Sequence, residues 1–192
     1  MDHDPRNDSG VRSLDEVARP HKTPALMPQL DLCSYVSGFV DGEGCFCVSF
    51  QPSRRHRLGW EVRPSFSVSQ NEERAKPLRL MMEMWNCGSM RPDRSDKTLK
   101  FEVRKVGDLV SKVLPHFRAY PMCSAKQADF VRFARICEMV LLGMHHEREG
   151  LTAIVGLAME MNPSGKRKYS ASEILNSLRS GERIVYATGN RG

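Results

Sequence analysis

From Leu32 onward the chain sorts its apolar residues by period. Leu32, Val36, Phe39 and Val40 recur at helical spacing, after Asp31, a typical N-cap residue, and before a stop at Gly42 to Gly44. Residues 45–50 read as a strand, followed by a loop with Arg54, Arg55 and Arg57. Residues 60–70 then alternate strictly. Trp60, Val62, Phe66 and Val68 mark one face and Glu61, Arg63, Ser65, Ser67 and Ser69 the other, as in a sheet with one wet side. Pro64 predicts an edge position or a bulge. Asn71 is expected to cap a helix carrying Leu78, Met81, Met82 and Trp85, which Asn86 to Gly88 stop. A second hairpin spans about Ser89 to Arg104 and turns near Arg94 to Asp96. In it Leu99, Phe101 and Val103 face inward, and Thr98, Lys100, Glu102 and Arg104 face out. Leu109, Val110, Val113 and Leu114 predict a short helix. Phe130, Phe133, Ala134, Cys137, Val140 and Leu141 predict a longer amphipathic one. A helix near Glu147 to Met161, a basic loop over Ser164 to Lys168 and a short helix around Ser172 to Leu178 complete the pattern.

Two hairpins separated by a helix imply an α+β fold, a four-stranded antiparallel sheet with helices on one face. The open face and its loops offer hydroxyls, amides and cations: Ser49, Gln51, Arg54, Arg55, Arg63, Ser65, Ser67, Arg91, Arg94, Thr98 and Lys100, with Lys166, Arg167 and Lys168 in the later loop. Such a surface suits a DNA groove, where some side chains reach base edges and others hold phosphates; a merely solvated sheet face has the same pattern. Residues 1–28 are polar and aperiodic and read as a disordered arm. Residues 29–180 read as one domain and 181–192 as a flexible tail.

Composition narrows this further. Of 192 residues 40% are hydrophobic, enough for one ordinary core. No apolar run has membrane-spanning length and no signal pattern opens the chain, so a soluble intracellular protein is expected. Twenty-nine basic against 23 acidic residues leave +6, which agrees with a polyanionic partner without requiring one. The six cysteines lack paired CxxC spacing and are expected to be buried reduced thiols, and His145 and His146 lack partners at ligand spacing.

The informative segment is 35–44. Gly38 and Gly42 lie one helical turn apart with Ser37 beside them, small residues that let a second helix approach. Helical glycine costs about 1 kcal/mol against alanine, so a contact should offset it. Asp41 and Glu43 fall at the helix C-terminus, where the dipole disfavours carboxylates. A bound cation would reverse that disadvantage; a Gly-rich turn with two solvated acids is the plainer account.

The stretch from Val36 to Gly44 resembles the nonapeptide of the LAGLIDADG homing endonucleases, with Glu43 in place of the usual last Asp. Phe66 to Gln70 before a helix, Lys126 to Phe130 opening another, and Met161 to Ser170 resemble single-motif members at corresponding places. The resemblance spans roughly residues 30 to 178. It implies an αββαββα fold with a saddle-shaped antiparallel sheet on DNA. Glu43 would bind metal with the carbonyl of Gly42, and Asp41 would be structural. Val36, Ser37, Gly38 and Phe39 would join Asp41 and Gly42 in the motif helix at a dimer interface. Gln70 and Arg74 would order water and phosphate. The family's further basic residue aligns without a gap on Ser124, which leaves Lys126 as the candidate. With one motif per chain, a homodimer would cut a long, nearly palindromic duplex using Mg²⁺ or Mn²⁺. An intron maturase, another RNA- or DNA-binding derivative, or a catalytically silent binder are the alternatives.

Overall fold

A computed structural model describes residues 31–93, 97–163 and 165–180. The expected polar arm at 1–28, the tail at 181–192 and Arg94 at the hairpin turn lie outside the described residues.

Helix α1 (Leu32–Glu43) starts where Asp31 accepts a hydrogen bond from the Cys33 amide at 3.0 Å, an N-cap as predicted. It runs directly into β1 (Gly44–Pro52). Only glycine fits the junction, because a Cβ on Gly44 would meet Val40 Cγ1 at 2.5 Å. Strand β2 (Trp60–Asn71) pairs with β1 from Gly44–Val68 to Pro52–Trp60. Next come α2 (Lys76–Trp85) and a hairpin of β3 (Ser89–Asp93) and β4 (Thr98–Val103). The sheet is antiparallel in the order β1-β2-β4-β3. α3 is a helical run built from Val106–Asp108, a π-helical stretch Leu109–Val113 and Leu114–Ala119. α4 (Lys126–Leu141), α5 (Arg148–Met159) and α6 (Ala171–Ser180) follow. The element order and the four-stranded antiparallel sheet agree with the sequence reading; the strand order comes from the structure.

One sheet face carries the core. Phe46, Phe66, Phe101, Phe117 and Phe133 are fully buried, and Phe46 lies 5.2–5.4 Å from the rings of Phe66, Phe117, Phe130 and Phe133. Tilted and edge-on contacts of this kind add to plain area burial. The alternating inward set of β2, β4 and α4 is therefore one cluster, with the helices on that side.

Several local expectations need correction. Asn71 makes no side-chain cap; a 3₁₀ turn (Glu72–Arg74) intervenes, and α2 begins only at Lys76. Pro77 explains the start, since proline lacks an amide hydrogen and fits only a first turn. Pro64 sits on an interior strand but at a position that is locally an edge, paired with β1 alone. It is tolerated because β4 pairs with β2 only from Phe66 to Asn71 and does not reach it. Met82 and Leu141, placed on buried stripes by spacing, are 37% and 53% exposed. Cys137 alone of the six thiols is buried, while Cys45 and Cys123 are exposed; all six are unpaired.

The segment after α5 is held by its own polar contacts. Asn162, at φ 47°, donates to the Phe46 carbonyl at 2.7 Å. Ser170 and Glu173 cap α6 reciprocally: the Ser170 amide donates to the Glu173 carboxylate (2.7 Å) and the Glu173 amide to Ser170 Oγ (3.2 Å).

Candidate functional site

The motif helix has two unlike faces. Val36 and Val40 are fully buried and Ser37 is 3% exposed. The Ser37 hydroxyl donates to the Tyr120 carbonyl at 2.6 Å and lies 3.3 Å from His116 Nε2. Val36 and Ser37, expected at a helix–helix interface, are instead core residues of their own chain. The opposite stripe is open: Leu32 is 46% and Tyr35 40% exposed, Tyr35 stacks on Phe39, and a Cβ on Gly38 or Gly42 would meet nothing within 4 Å. Their own chain therefore gives no steric reason for these two glycines.

At the C-terminal end of α1 the two acids separate. Asp41 accepts from the amides of Cys123 (3.1 Å) and Ser124 (3.0 Å) and from the Ser124 hydroxyl. Burial acts to raise its pKa, but these donors and the Lys126 charge outweigh it and hold it below the ordinary carboxylate value. Asp41 thus ties α1 to the loop that opens α4. Glu43 is exposed, and no hydrogen bond or ion pair to it occurs among the described residues.

Lys126 comes to the same place from α4. Its ammonium donates to the carbonyls of Val40 (3.1 Å) and Gly44 (2.5 Å) and lies 3.5 Å from that of Gly42. The negative end of the α1 dipole therefore already holds a cation. Ser124, which receives the Lys126 amide at 3.1 Å, is spent on Asp41. The register that pairs Gly44 with Val68 brings Ser69, Gln70 and Asn71 to the sheet end where Glu43 stands. The Gln70 side chain accepts from the Asn71 amide at 2.9 Å, and Arg74 is exposed on the following turn.

The other sheet face is polar. Along β1 and β2, Ser49 is opposite Arg63, Gln51 opposite Glu61, Ser65 opposite Cys47, and Ser67 opposite Cys45. Arg63 pairs with Glu61 at 2.7 Å, and this bond holds the Glu61 carboxyl below its usual pKa. Thr98 and Lys100 share that face on β4, with Arg91 on β3 directly opposite Lys100. Arg54 and Arg55 lie exposed in the β1–β2 loop, and Lys166 and Lys168 in the loop after α5. Arg167 departs from expectation. Its guanidinium turns back to the carbonyls of Ala158 and Met161 and closes the C-terminus of α5.

Two groupings escaped sequence reasoning. Glu102 is buried among the cations of the open face, described below. His56, from the β1–β2 loop, meets the supposedly unpartnered pair, with its ring 6.4 Å from His145 and 5.9 Å from His146. Arg57 joins the same loops through Glu147 at 2.8 Å. No spacing signal links residues so far apart in sequence. Among the described residues no group of three His, Cys, Asp or Glu side chains is arranged to hold a metal.

The model of the LAGLIDADG endonuclease family matches residues 36–137, which run from α1 into α4. The chain belongs to that family. The crystal structure of the homing endonuclease I-TnaI is 32% identical, with a TM-score of 0.66, over 77% of this chain and 96% of that one. The archaeal intron-encoded homing endonuclease I-Vdi141I, solved in complex with DNA, is 26% identical with a TM-score of 0.71, over 77% of this chain and 94% of its own. Among curated proteins, the probable intron-encoded endonuclease 2 of Neurospora crassa is 31% identical over 67% of this chain, which spans only 29% of that protein. Membership rests on the same segment that joins α1, the sheet and the start of α4. Among the described residues, no helix of this LAGLIDADG chain is long and apolar enough to cross a membrane.

Proposed function

We propose that the chain is a site-specific DNA endonuclease that hydrolyses phosphodiesters of duplex DNA as a homodimer, with a divalent metal. One observation carries the reading: an exposed Glu43 at the end of α1, beside a helix stripe that its own fold leaves open. The similarity to I-TnaI and to DNA-bound I-Vdi141I, over 77% of this chain and nearly all of theirs, supports it. On this reading residues 29–180 form one endonuclease domain.

The donor set fits a hard cation. Glu43 supplies a carboxylate and Gly42 a carbonyl, oxygen ligands of the kind Mg²⁺ and Mn²⁺ take. Lys126 already occupies the Val40 and Gly44 carbonyls at that helix end, so the attraction for a metal would come from the Glu43 carboxylate and the DNA phosphates. One carboxylate per chain is too few for a protein-built site, so a second copy and the DNA phosphates complete it. A bound divalent ion supplies charge relief at the scissile phosphate.

The chain's own residues do the rest. The open stripe of Leu32, Tyr35, Gly38 and Gly42 seats the same helix of a partner, so that two Glu43 side chains meet near a two-fold axis. Asp41 keeps the α4 loop against α1. Lys126 neutralises the α1 carbonyls, and Gln70 and Arg74 face the phosphates from the sheet end. Arg63, Arg91 and Lys100, with Ser49, Gln51, Ser65, Ser67 and Thr98, lie along the groove, while Arg54, Arg55, Lys166 and Lys168 hold backbone.

A randomised duplex library incubated with Mg²⁺ or Mn²⁺ tests this without a known target. The expected result is enrichment of cleaved ends from a near-palindromic sequence, lost with EDTA. Glu43→Gln should abolish cutting while duplex binding persists, because a metal ligand and a charge that repels phosphate leave together. Unchanged cutting by Glu43→Gln overturns the site. Binding by the natural chain with no metal-dependent cutting replaces the reading with that of a non-cleaving nucleic-acid binder.

A further inference from the structure

We propose that Glu102 is a specificity-positioning residue: a buried internal anion that stands in for a phosphate and holds Arg91, Lys100 and Arg104 in a fixed base-reading array. The inference rests on the DNA-binding reading above.

The open sheet face is where carboxylates are least expected on a DNA-binding protein, yet Glu102 is among the most buried residues there, at 7% exposure. Cations cover it. Arg104 Nε lies 2.9 Å from its carboxylate, Arg91 Nη2 3.4 Å and Lys100 Nζ 3.7 Å. Two strands build the cluster. Lys100, Glu102 and Arg104 follow one another at the period of two along the same side of β4 and its end, and β3 brings in Arg91. Arg91 and Lys100 are paired directly across the strands, a like-charge arrangement that is unfavourable by itself. Glu102, two residues from Lys100 along β4 and diagonal to Arg91, offsets that penalty. Its own cross-strand neighbours are Ser67 and Ser89, short side chains that leave room for the cations to fold over it.

Two consequences follow for a polyanionic ligand. The three cations present one net charge less than their number, which weakens sequence-independent attraction to any duplex. Their head groups are also held by a common acceptor, so fewer rotamers are lost when a base edge is bound and misplaced bases meet a rigid array. Glu102 itself is too covered to contact DNA; it acts through its three neighbours.

The test is a selection from a randomised duplex pool by the full chain, with sequencing of the bound fraction, plus anisotropy titration of an unrelated duplex over a salt series. Glu102→Gln keeps the shape and removes the charge. Binding to the unrelated duplex should strengthen about fivefold near 0.15 M salt, with a slope of log K against log salt steeper by about 0.9, as expected for one more counterion released. Sequence enrichment should weaken at a contiguous subset of target positions. Glu102→Asp should restore part of that enrichment, which a purely structural role would not predict. Should Glu102→Gln not fold, the double variant Arg91→Gln, Glu102→Gln removes opposite charges together. It should then show the natural salt slope with the same loss of enrichment. An unaltered salt slope with unaltered enrichment in Glu102→Gln, or unaltered enrichment in the double variant, overturns the proposal. If the natural chain binds no duplex at any salt, the DNA-binding reading itself has failed.

Discussion

The two sides of α1 are made from the same twelve residues and obey opposite rules. Toward the sheet, Val36, Ser37 and Val40 are enclosed, and the only hydroxyl among them is paired with Tyr120 and His116. Away from it, Leu32, Tyr35, Gly38 and Gly42 have little or nothing of their own chain to touch. A residue on the first side is fixed by the monomer's packing. One on the second side is unexplained until a second body is supplied. The difference teaches that a motif is not one functional unit: half of this one builds a core, and the other half, open within its own chain, is the part the proposed dimer would use.

Substitution should separate the sides by the sign of its effect. The largest change is expected from Val40→Asp, which would place a carboxylate at a fully buried position with no partner. No soluble folded protein should be recovered, and a circular dichroism melt like that of the natural chain would contradict the packing described. Gly38→Leu should do the reverse. Helical glycine costs about 0.8–1 kcal/mol against the better formers, so the subunit should become more stable by up to about that amount. Self-association, followed by sedimentation velocity, should meanwhile be lost. A dimer of undiminished affinity would dismiss the open stripe as an interface.

The smallest effect is a pH dependence from the inner side. Burial pushes the His116 imidazole below its ordinary pKa, against a smaller opposing pull from the Cys33 backbone bond and Asp31. His145 is lowered by burial and by its two histidine neighbours. Both are held neutral in the folded chain, whereas the unfolded chain takes up protons below about pH 6.5. Stability is therefore complete above that pH and is lost as pH falls through it toward the lower folded values. Melting temperature should decline over this range, and His116→Asn should flatten the decline. Equal slopes in the two proteins would remove His116 from the account.

Legibility followed the range of the contacts. The alternation of Trp60, Val62, Phe66 and Val68 and the spacing of Val36 and Val40 were enough to place strands and helix, since period reports local geometry. The start of α2 was misplaced because Asn71 looks like a cap, while Pro77, six residues after β2 ends at Asn71, decides where a helix can open. Arg167 resembled its neighbours Lys166 and Lys168 in sequence. Only the position of the α5 carbonyls gives it different work.

The sequence alone determined the order of elements, the wet and dry faces of the sheet, and a pair of acids at a glycine-rich helix end, because each depends on residues within a few positions of one another. The tertiary structure alone decided that Asp41 is held by the Cys123 and Ser124 amides, that Lys126 settles on the α1 carbonyls, and that Glu102 is enclosed by cations from two strands. Those outcomes depend on groups remote in sequence arriving within 3–4 Å, where hydrogen bonding and charge act, and no local pattern records which distant groups will meet.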